Sequence, residues 1–207
     1  MKNKTIKKKF VYLISPNKIK NNRFYKQLED LFKINKISFF QLRLKKKSFQ
    51  KKLTIGRKIK RICKKFNVKF LINDDVNLTK KLDADGCHLG QKDMNIFEAK
   101  KIIGNKVIGI TCHNSIKLAK EAIKNKADYL AFGAFYSSKT KKTKYRADLK
   151  ILKKIKKITK IPVVAIGGIN SDNYKNLLLN NANFLAISGY IWNNKNLKPL
   201  EAIKKLK

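Results

Sequence analysis

Acidic residues and cysteines are both scarce in this chain of 207 residues. There are 13 aspartates and glutamates against 51 lysines and arginines, and the three cysteines, Cys63, Cys87 and Cys112, include no CxxC pair. An odd number of widely spaced cysteines argues against a disulfide framework and against a zinc site. We therefore expect a protein of the reducing cytoplasm, in which the adjacent acids Asp74 and Asp75 need an explanation.

Long apolar runs are missing as well. The basic amino-terminal segment leads into an apolar run of only five residues, FVYLI (10–14), before Ser15 and Pro16. Such a run is too short for the core of a signal peptide. No stretch approaches the ~20 apolar residues of a membrane-spanning helix. We expect no membrane as a partner.

The formal net charge of +38 is extreme. A charge of this size first suggests a phosphate-rich partner, either nucleic acid or an anionic membrane surface. The lysines, however, are spread along the whole chain between aliphatic residues, as in LKILKKIKKITK (149–160), where Leu149, Leu152, Ile155 and Ile158 would form one face. That pattern is typical of solvated helix faces. We expect no nucleic-acid partner.

Apolar runs of strand length alternate with amphipathic stretches of helical spacing along the chain. With 43% hydrophobic residues, the chain is expected to fold as a single domain over residues 1–207. The runs predicted to be strands are FVYLI (10–14), SFFQL (38–42), FLI (70–72), GCHL (86–89), VIGIT (107–111), YLAFG (129–133), PVVAIG (162–167) and FLAIS (184–188). Helices are predicted near 22–34, 48–66, 77–81, 96–103, 115–125, 148–158, 171–179 and 197–205.

Eight strands alternating with helices predict an α/β fold of one particular kind, a closed parallel (β/α)8 TIM barrel. The alternative is an open doubly wound sheet. An open sheet usually has a glycine-rich dinucleotide turn after its first strand, and SPNKIKNN (15–22) contains none. Three segments, DADGCHLG (83–90), KADYLAFG (126–133) and NANFLAIS (181–188), also repeat one helix-to-strand joint, in which Asp85 and Asp128 are expected to be turn residues.

Polar side chains follow the predicted strands, where a barrel of this kind places its catalytic groups. They are Gln41, Arg43, Lys45, Asn73, Asp74, Gln91, Asp93, Thr111, His113, Asn114 and those of the loop GAFYSSKTKKTK (133–144), and the seventh strand ends in the glycine pair Gly167 and Gly168. Arginine offers a bidentate fork to phosphate, and lysine offers a point charge. Aspartate oxygens are ligands that Mg²⁺ prefers, and paired glycines can expose backbone N–H groups to an anion. The sequence thus predicts a site for more than one phosphate group and a metal.

Each of these residues also has a purely structural interpretation. Arg43 and Lys45 could be ordinary surface charges, and a glycine pair is common in turns. His113 could contact substrate or be a structural residue, and His88, inside a predicted strand, is expected to be structural. The functional interpretation depends on the placement of so many polar groups after successive strands.

Taken in order, several motifs make the chain similar to a known family. QLRLK (41–45), INDD (72–75), DADGCHLGQKDM (83–94), IGITCHN (108–114), the KTK that ends at Lys141, and IPVVAIGGI (161–169) together resemble thiamine phosphate synthases. The resemblance covers nearly the whole chain and implies a (β/α)8 barrel. It also implies the coupling of a hydroxymethylpyrimidine diphosphate to a thiazole phosphate, with release of pyrophosphate.

The resemblance implies a role for each matched residue. Arg43, Lys45, Thr111 and Lys141 match the catalytic set, and together with Gln41 and Asn73 they match the residues that hold the pyrimidine diphosphate. Asp74 and Asp93 match the ligands of a Mg²⁺ cofactor, which leaves Asp75 as a helix cap or a supporting group. The residues matched to the thiazole phosphate are Ser138, Lys139, Thr140, Gly168, Ser188 and Gly189.

This sequence departs from the family at several positions. Leu44 stands where glutamate is usual, Ser137 and Ser138 replace a Pro-Thr pair, Thr111 replaces serine, and Gly189 stands where the family often has serine. The loop after Lys141 is shorter than usual and lacks a glycine. Because that loop should close over the thiazole phosphate, the departures affect the thiazole side of the site more than the diphosphate side.

Two other functions remain open from the sequence. A thiazole tautomerase would share the barrel and use His113 as its acid-base group, although it typically lacks the residues matched by Asn73, Asp74 and Asp93. A phosphate-binding barrel recruited to bind nucleic acid would lose affinity steeply with salt. The oligomeric state, including a homo-oligomer, is not determined by the sequence.

Overall fold

The structure, a computed structural model, describes residues 9–19, 21–137 and 144–207. Eight parallel strands pair in chain order and close into a barrel, β8 returning to β1. The strands are β1 (Val11–Ile14), β2 (Ile37–Leu42), β3 (Lys69–Asn73), β4 (Gly86–Leu89), β5 (Val107–His113), β6 (Tyr129–Gly133), β7 (Val163–Ile166) and β8 (Phe184–Ile187). The predicted (β/α)8 TIM barrel is confirmed, and each strand overlaps the run predicted for it.

Helices separate the strands as predicted. They are α1 (Arg23–Lys33), α2 (Phe49–Lys65), α3 (Val76–Leu82), α4 (Ile96–Ile103), α5 (Ile116–Lys124), α6 (Leu149–Ile158), α7 (Tyr174–Leu179), α8 (Gly189–Trp192) and α9 (Pro199–Lys204). The four-residue α8 was not predicted. None of the helices in the described parts of the chain is long and apolar enough to cross a membrane.

Side-chain caps fix where five of these helices begin. Ser48, Asp75, Asn95, Ser115 and Asp148 each accept a hydrogen bond from the backbone N–H three residues later. Such caps satisfy one of the donors that a helix start leaves without an intrahelical partner. Since each of these helices follows a strand, the caps order the loops at the carboxyl ends of the strands.

The repeated helix-to-strand joint has one geometry in all three copies. The carboxylates of Asp85 and Asp128 and the amide oxygen of Asn183 each accept from a backbone N–H of the preceding strand, at 2.8, 2.8 and 2.9 Å. The backbone N–H of the same three residues donates to the carbonyl of that same strand residue, at 2.8 Å in each copy. Asp85 and Asp128 are therefore turn residues, as predicted, and they clamp neighbouring strands at the amino face of the barrel.

Two hydrophobic clusters stabilise the barrel. The larger lies between strands and helices, and the smaller fills the barrel interior with alternate strand residues such as Tyr12, Leu71 and Tyr129. On α6 the apolar face consists of Ile151, Leu152 and Ile155 with Leu149 partly buried, whereas Ile158 is 42% exposed.

The three cysteines are buried and free. Burial raises the pKa of the Cys87 and Cys112 thiols to about 12. The buried thiols therefore stay protonated and behave as small apolar side chains.

Candidate active site

The residues that follow β2 lie at three different depths of the barrel mouth. Gln41 is buried inside the barrel with 2% exposure, Arg43 is half-buried and Lys45 is exposed. The Arg43 N–H donates to Ser15 Oγ at 2.9 Å, and its guanidinium Nη1 donates to Asn17 Oδ1 at 3.2 Å. The loop after β1 thus holds the arginine at the mouth.

Lys45 and the two aspartates predicted to hold a metal lie together. Lys45 Nζ lies 3.3 Å from Asp74 Oδ2, and the Asp74 carboxyl lies near enough to the Asp93 carboxyl to raise its pKa. Asp93 Oδ2 also accepts from Gly90 N at 2.7 Å. Burial raises the pKa of the Asp93 carboxyl, the Gly90 N–H opposes that rise, and the Asp74 carboxyl adds to it. Two carboxyls so close together favour a neighbouring cation.

Asp75 has a different role from its neighbour. Its carboxylate accepts from Leu78 N at 3.0 Å, which caps α3, and forms an ion pair with Lys52 at 3.3 Å. Asp74 has a positive φ of 65°, so the backbone turns between the end of β3 and the cap. The prediction that Asp75 is a helix cap is confirmed.

A cavity of about 500 Å³ opens beside these carboxylates. Its polar lining includes Lys45, Lys52, Asn73, Asp74 and Asp93. In the described parts of the chain, no group of three or more histidine, cysteine or acidic side chains is placed to hold a metal. Two carboxylates fit Mg²⁺, which usually takes one or two from the protein and completes its shell with water and substrate phosphates.

The end of β5 brings Thr111 to the same mouth. Thr111 Oγ1 lies 2.8 Å from His88 Nε2, and the Gln91 side-chain amide donates to the Thr111 carbonyl. Two residues on, the His113 ring stacks on Tyr145 with centroids 4.0 Å apart and an interplanar angle of 19°. Thr111 therefore lies at the end of a hydrogen-bonded network, while His113 packs against an aromatic ring.

The residues matched to the thiazole phosphate follow β7 and β8. Gly168 has a φ of +63°, and a Cβ there would lie 2.4 Å from the Ser137 carbonyl oxygen. Only glycine fits, because the chain after β6 passes directly over it. Ser188 Oγ donates to the Ser15 carbonyl at 3.2 Å, and Gly189 begins α8. The predicted residues Ser138, Lys139, Thr140 and Lys141 lie outside the described residues.

Three residues that support the predicted site residues, directly or through another side chain, were not predicted from the sequence. Asn17 accepts from Arg43, and Tyr12 and Tyr129 lie between Gln41 and His88 in the barrel interior. The available signal was strand alternation, since the phase that points Gln41 inward on β2 points Tyr12 inward on β1. The sequence of a single strand does not predict which of these inward-pointing side chains hydrogen-bond to one another across the barrel.

Comparisons with known proteins agree with this geometry. The family model described as thiamine monophosphate synthase matches residues 11–191. A thiamine-phosphate synthase of Pelagibacter ubique is 69% identical over 207 residues, which is 100% of both chains, and one of Erythrobacter litoralis is 38% identical over 88% of this chain and 87% of its own.

A solved structure supports the same assignment. The thiamine phosphate pyrophosphorylase of Pyrococcus furiosus superposes with a TM-score of 0.84 at 30% identity, covering 96% of this chain and 94% of its own. With a family-model match over most of the chain and relatives that match over nearly all of it, this chain belongs to the thiamine monophosphate synthase family.

Proposed function

We propose that this chain is a thiamine-phosphate synthase, a transferase that joins a 4-amino-2-methylpyrimidine carrying a diphosphooxymethyl group to a 4-methylthiazole carrying a phosphooxyethyl group. The products are thiamine phosphate and pyrophosphate. The observation that carries the proposal is the convergence of Arg43, Lys45, Asp74, Asp93 and Thr111 at the carboxyl-end mouth of the barrel. The identity of 69% with a relative of that name supports the same activity.

The diphosphate end of the reaction is assigned to the cations after β2. Arg43 is held by Asn17, so its guanidinium fork is positioned before substrate arrives. Lys45 lies beside the cavity and is exposed, so it can leave Asp74 for a phosphate oxygen. Both groups would neutralise charge that grows on the leaving pyrophosphate as the C–O bond breaks.

Asp74 and Asp93 are proposed to hold Mg²⁺. When bound, the ion would supply further charge neutralisation to the diphosphate oxygens. The protein side of this arrangement is built from the backbone turn at Asp74 and from the Gly90 N–H that fixes Asp93. Asn73, which ends β3 at the same cavity, is proposed to contact the diphosphate beside them.

The thiazole phosphate is assigned to the opposite side of the mouth. Gly168 follows β7, and Ser188 and Gly189 follow the neighbouring strand β8. Backbone N–H groups at such positions are suited to bind an anion. Ser138, Lys139 and Thr140 are proposed from the family resemblance to complete this subsite, and Lys141 to reach the diphosphate.

The chemistry needs little proton transfer. The diphosphate leaves, the pyrimidine-methyl carbon becomes cationic, and the thiazole nitrogen captures it by donating its lone pair. Positioning the two substrates and stabilising the leaving group therefore account for most of the catalysis. No step requires His113 as a base, which fits its stacking on Tyr145. We also propose that the enzyme works in the cytoplasm and leave a homo-oligomer as a question for solution measurement.

The adjacent acids provide a matched pair of variants. Asp74→Asn should lose Mg²⁺-dependent turnover, because it removes one of two carboxylate ligands. Asp75→Asn should keep turnover, because asparagine also caps helices well. The measurements are thiamine phosphate formation and Mg²⁺ affinity by calorimetry with pyrophosphate present. Equal turnover together with equal Mg²⁺ affinity in the two variants would contradict the metal assignment.

A further inference from the structure

A chain of hydrogen bonds crosses the barrel interior from Gln41 to Thr111, and we call it the barrel chain. Gln41 Nε2 donates to Tyr12 Oη at 2.9 Å, and Tyr12 Oη lies 2.8 Å from Tyr129 Oη. Tyr129 Oη lies 2.9 Å from His88 Nδ1, and His88 Nε2 lies 2.8 Å from Thr111 Oγ1. The five residues come from five strands, and both end residues are assigned to the pyrimidine diphosphate.

Packing holds the rings of the barrel chain in place. Tyr12 and Tyr129 are only 2% and 3% exposed. The His88 and Tyr129 rings stack with centroids 5.6 Å apart and an interplanar angle of 15°. A Cβ at Gly109 would lie 1.8 Å from the Tyr129 ring, so this glycine leaves the space that the phenol occupies. Because residue 109 on β5 has no side chain, the Tyr129 ring can lie in the barrel interior at this position.

The donors of the barrel chain can be followed from one end to the other. Gln41 donates to Tyr12, so the single hydroxyl hydrogen of Tyr12 goes to Tyr129, and that of Tyr129 goes to His88 Nδ1. An imidazole that accepts at Nδ1 carries its hydrogen on Nε2 and donates it to Thr111. While the Gln41 amide donates to Tyr12, any other arrangement leaves a buried hydroxyl hydrogen without an acceptor, which costs ~1–3 kcal/mol.

The barrel chain carries no charge at neutral pH. His88 accepts from Tyr129 at Nδ1, and a protonated imidazole could not accept there. Burial raises the pKa of Tyr12 and of Tyr129 above the ordinary value for tyrosine. A neutral imidazole has one N–H, so the direction of donation along the chain is set by the amide of Gln41.

We infer that His88 is a positioning residue for the coupling reaction: with its hydrogen on Nε2 it holds Thr111 as an acceptor, so the Thr111 hydroxyl hydrogen is left to point at the substrate diphosphate. The inference rests on the proposed function, because it assumes that Thr111 contacts the pyrimidine diphosphate. Tyr12 and Tyr129 link the Gln41 amide to His88 through successive hydrogen bonds, so the orientation of that amide determines which His88 nitrogen carries the hydrogen. The barrel interior therefore does more than fill space.

The chain has only two histidines, which makes the tautomer of His88 directly measurable. In protein labelled with ¹⁵N-histidine, a His113→Asn variant assigns the two imidazoles. The expected spectrum at neutral pH, without substrate, has the His88 hydrogen on Nε2. An ionised glutamate at position 41 can only accept from Tyr12, so Gln41→Glu, at a pH where that carboxyl is ionised, should reverse every donor in the barrel chain and move the hydrogen to Nδ1. A His88 hydrogen on Nδ1 in the unmodified protein would overturn the inference.

Kinetics test whether the tautomer matters to the reaction. Tyr129→Phe interrupts the barrel chain and should lower kcat about tenfold through the misdirected Thr111 hydrogen bond, with an unchanged KM for the thiazole phosphate. Tyr174→Phe is the matched control, because its buried hydroxyl bonds to the Lys207 carbonyl away from the barrel interior. Equal kcat values for both variants would refute the positioning role. An unmodified protein that forms no thiamine phosphate would refute the proposed function instead, whatever the spectrum shows.

Discussion

Replacing Asp128 by alanine should destabilise the barrel without changing its chemistry. The Asp128 carboxylate accepts the backbone N–H of Ile108 at 2.8 Å, and the Asp128 N–H donates to the Ile108 carbonyl at 2.8 Å. Ile108 is fully buried, so its N–H has no access to water once the carboxylate is removed. The variant therefore leaves a buried donor without a partner.

The size of the effect follows from that missing hydrogen bond. A buried donor that loses a charged acceptor costs ~1.5–3 kcal/mol. For a domain of this length, each kcal/mol lowers Tm by about 2–4 °C, so a fall of roughly 3–12 °C is expected. Asp128→Asn should cost less than ~1 kcal/mol, because Asn183 makes the same contact with its amide oxygen in another copy of the joint.

Thermal and urea unfolding measure the loss of stability, and kcat and KM measured well below Tm show whether catalysis is unchanged. The joint lies at the amino ends of the strands, opposite the proposed site, so both variants should keep the parent kcat and KM. If Asp128→Asn were as unstable as Asp128→Ala, the hydrogen bond that the side chain of residue 128 accepts from Ile108 N would not be the source of the stability. A changed kcat in either variant would show that this joint at the amino face of the barrel affects the proposed site at the carboxyl face.

Two further predictions concern stability. Gly109→Ala should cost about 1–3 kcal/mol or more, because its Cβ would overlap the Tyr129 ring; an unfolding midpoint equal to that of the parent would contradict the tight packing. The Lys106 and Lys60 ion pairs lower the pKa of Asp83 to about 2, so their stabilisation is present above the unfolded pKa of ~3.9 and is lost as pH falls through about 2. Asparagine also suits the left-handed backbone at position 83, so Asp83→Asn should cost under ~1 kcal/mol of stability at pH 7. In urea unfolding, the free energies of unfolding of parent and variant should converge near pH 2. A difference that stays constant with pH would be inconsistent with a charge effect.

The strands and most helices could be predicted because their signals are local. Each β-strand shows as a short apolar run, and Asp75 has the residue type and position of a helix cap. The helix α8 was missed because GYIW is too short to show a period of 3.6 residues. Its start is fixed instead by the end of β8 and by the Ser188 hydrogen bond to Ser15.

The candidate site was predictable only in part for a physical reason. Strand ends meet at one face of a barrel, so Arg43, Asp74 and Asp93 could be grouped before their geometry was known. The barrel chain could not, because Tyr12, His88 and Tyr129 interact across the interior and depend on the space left at Gly109. His88 was expected to be structural, and its contacts with Tyr129 and Thr111 are the basis for the finer role inferred above.

The coupling reaction itself tests the proposed function most directly. Purified protein is incubated with the pyrimidine diphosphate, the thiazole phosphate and Mg²⁺, and thiamine phosphate and pyrophosphate are quantified together, with each substrate omitted in turn. We expect equal amounts of the two products, formed only when both substrates are present and abolished by a chelator. Absence of thiamine phosphate under these conditions would contradict the proposed function, and undiminished formation after chelation would contradict the role of Asp74 and Asp93.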